Sequence, residues 1–136
     1  EQLQRILKVK DEWKVALIGV GDIGHALTHY NGFVNRGFRI VALFDSDPKK
    51  IGSLVNGLIV IDAAKLADEI RTRGLKVAML AVPAENAQAV ANKLVEAGIE
   101  GILNYAPINL SVPPNVRVQH IDPVIHLQRM TFYINS

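Results

Sequence analysis

The sequence predicts an α/β fold of the doubly wound kind, a mostly parallel sheet with helices on both faces, and three observations carry that prediction. Short uninterrupted apolar runs alternate with longer amphipathic stretches, the connections between them are short, and Gly or Pro marks most of their ends. Continuous apolar runs belong to strands buried on both faces, and strand–helix–strand connections turn right-handed, which makes the strands parallel.

The elements follow in chain order. Leu3, Ile6 and Leu7 fall at helical spacing, so residues 1–12 read as the end of a connecting helix. Residues 14–18 form a buried strand stopped by Gly19, and a helix is predicted over 22–35. Residues 39–44 are a second buried strand ending at Asp45; 58–61 are a short third strand; 63–73 are a helix stopped by Gly74. Residues 77–82 read as a strand stopped by Pro83, 85–97 as an alanine-rich helix ended by Gly98, and 101–104 as a strand ended by Tyr105-Ala106-Pro107. Past Pro113-Pro114, residues 116–119 read as a last strand. Asp122-Pro123, an N-cap followed by Pro at the first helical position, opens a terminal helix to about Ile134. The predicted organisation is one domain over 13–121 with a terminal helix over 122–136.

Composition narrows the function classes. A chain of 136 residues with 49% hydrophobic residues has the size and the apolar content of one cored domain. Without cysteine there is no disulfide framework, thiolate metal site or thiol nucleophile, so any redox chemistry must belong to a cofactor. The formal charge is only +2 and Lys49-Lys50 is the one adjacent basic pair, so the sequence shows no basic patch for a phosphate backbone. No apolar run reaches the length of a membrane span and the N-terminus has no signal-peptide pattern, which predicts a cytoplasmic protein without membrane contact. The chain opens without Met directly into a helix-like stretch, and a piece of a longer protein is expected.

The chemistry concentrates after the first strand. Gly19-Val20-Gly21-Asp22-Ile23-Gly24 fits G-x-G-x-x-G between a buried strand and a helix, where a Rossmann-type domain needs glycine three times. Gly19 makes the tight turn, Gly21 lets the backbone approach a pyrophosphate, and Gly24 lets helix pack closely on strand. Asp45, 21 residues beyond Gly24 at the end of the second strand, is placed to accept hydrogen bonds from adenosine ribose hydroxyls, with Phe44 and Ser46 beside it. A carboxylate there repels a 2′-phosphate and favours NAD(H) over NADP(H). Lys49-Lys50 argue the opposite, but beyond Pro48 they read as solvated loop residues. Asp22 fits the motif poorly: it either points away as a helix cap or weakens phosphate binding by like charge.

Other segments fall at strand ends, where doubly wound folds bind ligands. Val82-Pro83 would line the ribose–phosphate path, and Asn104-Tyr105-Ala106-Pro107 the nicotinamide, with Tyr105 stacking and Asn104 hydrogen-bonding; the prolines can equally be plain strand ends. His25 and His29 have metal-ligand spacing but no carboxylate or cysteine to complete a site, so no metal is expected. In the terminal helix Val124, Leu127, Thr131 and Ile134 form one stripe while Ile125, Met130, Phe132 and Tyr133 spread apolar surface to other sides, which predicts packing against another chain and hence a homodimer.

Beyond the glycine turn, Tyr30-Asn31-Gly32-Phe33, Phe44-Asp45-Ser46-Asp47-Pro48, Val82-Pro83-Ala84, Gly101-Ile102-Leu103-Asn104-Tyr105-Ala106-Pro107 and Ile121-Asp122 together resemble the NAD(H)-binding domain of the Rex-type redox-sensing repressors of bacteria, over residues 10–134. The resemblance implies a homodimer that senses NADH against NAD⁺. NADH releases operator DNA held by an N-terminal winged-helix domain, which this chain lacks. It implies that Gly19, Val20, Gly21, Asp22, Ile23 and Gly24 border the pyrophosphate, that Tyr30 and Asp122 are switch positions near the nicotinamide, and that the terminal helix crosses to the partner. Asp22 stands where the family usually has Asn, and Tyr105 where Phe is common. The function implied is regulatory, not enzymatic. The alternatives are the cofactor half of an NAD-dependent dehydrogenase, which would need a substrate domain, and a CoA-binding domain, which would not need Asp45.

Overall fold

A computed structural model describes residues 12–121 and 123–135. The elements are β1 (Trp13–Ile18), α1 (Asp22–Thr28), a 3-10 turn (Val34–Arg36), β2 (Phe38–Asp45), β3 (Leu54–Val55), β4 (Leu58–Asp62), a second 3-10 turn (Ala63–Lys65), α2 (Leu66–Arg73), β5 (Val77–Leu80), α3 (Ala84–Ala97), β6 (Gly101–Asn104), β7 (Arg117–His120) and α4 (Pro123–Asn135). They build a seven-stranded sheet in the order β3-β4-β2-β1-β5-β6-β7. Every pairing is parallel except the β3–β4 hairpin, so the expected doubly wound sheet is present.

The two faces of β1 explain its uninterrupted apolar run. Ala16 and Ile18 point to one side, where they join Phe44, Leu80 and the inner faces of α2 and α3: Leu66, Ile70, Ala87, Ala91 and Leu94. The alanines of α3 let that helix lie close to the sheet. Val15 and Leu17 point to the other side with Leu43, Val60 and Met79, where α1 contributes Leu27 and the loop after it Phe33. Two helices thus cover one face and the seven-residue α1 part of the other. On the thinly covered face an apolar cavity of about 400 Å³ lies between Val15, Val77, Met79 and Leu103 of the sheet and the Tyr30–Ile40 segment.

Three elements differ from the sequence expectation. The helix predicted over 22–35 ends at Thr28; beyond it the Tyr30 ring folds against Gly32 and meets Phe33 edge-on at 4.7 Å. The β3–β4 hairpin is additional, turning on Asn56 (φ 47°) and Gly57 (φ 83°), the backbone pattern of a tight two-residue hairpin turn. The strand predicted over 77–82 stops at Leu80. The connecting helix predicted over 1–12 lies, apart from Glu12, outside the described residues.

The β1–β2 pairing is irregular. Val15 pairs with Ile40 but Ala16 with Ala42, so Val41 is an extra residue in β2. Arg73 at the end of α2 donates to the Val41 carbonyl (3.1 Å) and pairs with Glu69 (2.9 Å).

Candidate functional site

The carboxyl ends of β2, β1, β5 and β6 lie side by side, and the chain leaves β1 toward one face of the sheet and β5 toward the other. This is the topological switch point, where the residues singled out in the sequence gather.

Gly19 follows β1 with φ +99°, a conformation that an L side chain rarely adopts, and a Cβ there would stand 2.5 Å from the Ala81 carbonyl oxygen. Gly24 is buried on the first turn of α1, and a Cβ on it would run into the Gly19 carbonyl. Gly21 meets no backbone; the nearest atom to its Cβ position is the Lys50 Nζ, 4.0 Å away. The turn is therefore tight at its first and third glycines and open at its second, which is the shape a cradle for a diphosphate requires.

Gly21 is also the N-cap of α1, with no side-chain cap. This corrects the reading of Asp22 as a cap: Asp22 is the first helical residue, exposed like Ile23 beside it, and leaves its charge at the mouth of the turn.

Asp45 is half-buried. Its Oδ2 accepts from the Val20 amide (2.8 Å) and its Oδ1 from the Asp47 amide (2.9 Å). The first bond ties the end of β2 to the glycine turn, and Gly19 N donating to the Phe44 carbonyl (2.8 Å) adds a second tie. Phe44 itself is fully buried in the core, whereas Ser46 is exposed. Each Asp45 oxygen has further acceptor capacity for hydroxyl groups.

Lys50 departs from its sequence reading. It is half-buried, and its Nζ donates to the Val20 carbonyl at 2.8 Å, so it is no solvated loop residue; Lys49 is exposed, as expected. No periodicity pointed to Lys50. The signal available was the Asp45-Ser46-Asp47-Pro48 turn, which brings the chain back toward β1 and holds the amides of Lys49 and Lys50 on Asp47.

On the other flank, Val82 packs on the core beside Gly19, and exposed Pro83 caps α3. Tyr105 donates its amide to the Leu80 carbonyl (2.8 Å) and packs on the Val15–Leu17 side of the sheet; partial burial raises its phenol above the usual value. Ala106 is buried and Pro107 exposed. Asn104 corrects an expectation. Its amide is fully buried, donates to the Ile108 carbonyl (3.0 Å), accepts from the Ala106 amide (2.9 Å) and meets His120 Nδ1 at 3.0 Å. Both its donors and one lone pair of Oδ1 are engaged within the chain, and with the side chain fully buried the amide is turned away from the cleft.

Tyr30 is exposed and lines the cavity on the thinly covered face. Asp122 lies outside the described residues. His25 and His29 stack at 4.6 Å, but His29 Nδ1 is engaged by Thr28 Oγ1 and the His25 carbonyl (both 3.0 Å). No group of His, Cys, Asp and Glu able to hold a metal occurs among the described residues.

The fold and the glycine turn define a Rossmann-type domain, and the family profile described as CoA binding domain matches residues 10–108; the chain belongs to that family. Within it, the chain is similar to Rex-type repressors. It is 49% identical over 134 residues to the redox-sensing transcriptional repressor Rex of Chloroflexus aurantiacus, covering 98% of this chain and 63% of the relative. Among solved structures it is similar to RSP, a Rex-family repressor, in its complex with β-NAD⁺ and operator DNA and in its complex with β-NADH. Both match with a TM-score of 0.88 at 30% identity over 98% of this chain, and cover 62% and 65% of the RSP chains. The chain thus spans a little under two thirds of the length of the relatives it matches.

Proposed function

We propose that this chain is the NAD(H)-sensing domain of a redox-responsive transcriptional repressor. The observation that carries the reading is the Asp45 Oδ2–Val20 N bond, which joins the ribose-binding acid and the glycine turn into one unit. The Rex relatives, and the RSP complexes with β-NAD⁺ and β-NADH, support the same ligand. In this reading Gly19, Val20, Gly21 and Gly24 receive the diphosphate, Asp45 the adenosine ribose with Ser46 beside it, and Val82-Pro83 wall the cleft; Phe44, fully buried, anchors Asp45 from the core and does not reach the ligand. Tyr105-Ala106-Pro107 border the nicotinamide on a turn that Asn104 holds, and Tyr30 and Asp122 are the switch positions.

The two ligand forms differ by the charge on the nicotinamide ring. A pyridinium cation loses hydration when pressed against the apolar side of Tyr105, and a neutral dihydronicotinamide loses much less. That difference is sufficient for a sensor, because a ligand shifts a conformational equilibrium by its differential affinity alone. Residues 13–121 form the sensing unit, and residues 122–136 the element that joins two copies.

The dimer rests on two complementary surfaces. Leu127, Met130, Tyr133 and Ile134 of α4 are all more than half exposed, and the opposite requirement, an apolar face short of cover, exists at the Val15–Met79–Leu103 cavity. Operator DNA is held by a domain outside this chain, in the cytoplasm; among the described residues no helix is long and apolar enough to cross a membrane.

The family description favours a second reading, CoA as ligand. CoA carries a phosphate on its adenosine ribose, which the Asp45 carboxylate would repel. Calorimetric titration of NADH, NAD⁺, NADPH and CoA into this chain and into Asp45→Ala decides the matter. Tightest binding of NADH, lost in the variant, is expected; equal affinity for the nicotinamide forms, or tightest binding of CoA, contradicts the sensor reading.

A further inference from the structure

Lys50 reaches the glycine turn from the far side of the Asp45–Pro48 turn. Its own backbone is fixed there: its amide donates to the Asp47 carbonyl (2.9 Å), and its carbonyl accepts from the Ser53 amide (3.0 Å) and the Ser53 hydroxyl (2.5 Å). With Nζ on the Val20 carbonyl, 30 residues away in sequence, Val20 is gripped at both ends, its amide by Asp45 and its carbonyl by Lys50. A trans peptide points its C=O and N–H in opposite directions, so drawing the Val20 carbonyl toward Lys50 turns the Gly21 amide away from Lys50. An ammonium has three donors, and Val20 takes one. The remaining protons sit beside the open glycine of the turn, 4.0 Å from where a Gly21 Cβ would be.

The turn also has a charge deficit for an anionic ligand. Asp22 places a carboxylate at its mouth, and α1, with seven residues, is too short to develop much of a macrodipole against it. We propose that Lys50 is a positioning residue of the nucleotide site: its grip on the Val20 carbonyl turns the Gly21 amide toward the side a diphosphate would occupy, and its charge, behind that peptide, offsets Asp22. This inference rests on the NAD(H) reading above. It differs from a bare structural staple in one respect: a staple needs only a donor, whereas offsetting Asp22 needs a charge.

Titration of NADH and ADP-ribose into the wild-type chain, Lys50→Arg, Lys50→Gln and the double variant Lys50→Gln/Asp22→Asn, at roughly 50 and 300 mM salt, separates the two. Gln carries an N–H donor, one bond shorter in reach than lysine's, and loses the charge. We expect Lys50→Gln to weaken both ligands by about tenfold at low salt and to flatten the salt dependence, Lys50→Arg to stay near wild type, and Asp22→Asn to restore most of the loss. Unchanged affinity in Lys50→Gln overturns the proposal, as does a loss that is the same at both salt concentrations and unrelieved by Asp22→Asn. Failure of the wild-type chain to bind either ligand overturns the NAD(H) reading itself, and is distinguishable because it precedes any substitution.

Discussion

Gly24 stands directly behind Gly19, so that the first turn of α1 and the last residue before the turn share a space with no room for a methyl group between them. The contact sets how closely α1 approaches β1, and with it the width of the cradle. Gly24→Ala is expected to destabilise the chain by about 2–4 kcal/mol, because the collision is with backbone, which cannot rotate aside. Gly101→Ala is the control: nothing lies within 4 Å of its Cβ position, and its change should stay within about 0.5 kcal/mol. Denaturant unfolding of both variants checks the pair.

Asn104 should be as sensitive for a different reason. Asn104→Ala removes the partner of the buried Ala106 amide, the Ile108 carbonyl and His120 Nδ1 together. A loss of about 2–4 kcal/mol is expected, since unsatisfied buried polar groups carry their full desolvation penalty. If the amide bound ligand instead, the variant would lose affinity and keep its stability.

The Tyr105 phenol gives a signature at alkaline pH. Burial raises its pKa in the folded chain, so it keeps its proton where the unfolded chain has already lost it. Its contribution to stability is therefore full below the usual tyrosine value of 10.0 and is lost as pH rises from there through the folded value. Tyr105→Phe should flatten that part of the stability profile; an identical alkaline decline in the variant would assign it to other groups.

Met130→Glu with Ile134→Glu should turn the proposed dimer into a monomer in sedimentation equilibrium, because both side chains are more than half exposed on α4. The same double change should make the thermal midpoint independent of protein concentration, whereas the midpoint of the unmodified chain is expected to rise with concentration.

Most of the sheet was legible because its signals are local. The continuous runs at β1 and β2 and the glycine stops after α2 and α3 mark their elements without help from the rest of the chain. The end of α1 was not, since the Tyr30 ring contact with Gly32 and Phe33 that follows it leaves no periodicity in the sequence. The β3–β4 hairpin did leave a local sign, Asn56-Gly57, but its strands are too short to show alternation. At the site, the glycines and Asp45 were legible because their spacing is dictated by backbone approach. Lys50 and Asn104 were misjudged because residue type does not say which way a side chain turns: a lysine in a loop points inward here, and an asparagine beside a cleft points into the core.

The extra residue in β2 works as a phase shift. With Val41 inserted, Phe44 lies opposite Ile18, both in the core under α2 and α3, and Asp45 emerges level with Gly19, within reach of the Val20 amide. Deleting Val41 would restore regular pairing and either slide Asp45 one residue along the turn or send the end of β2 to the opposite side of the sheet. An alignment would score that deletion as minor. Physically it would separate the acid from the glycines while leaving every one of those residues in place, and it would also remove the carbonyl to which Arg73, far along the chain on α2, donates.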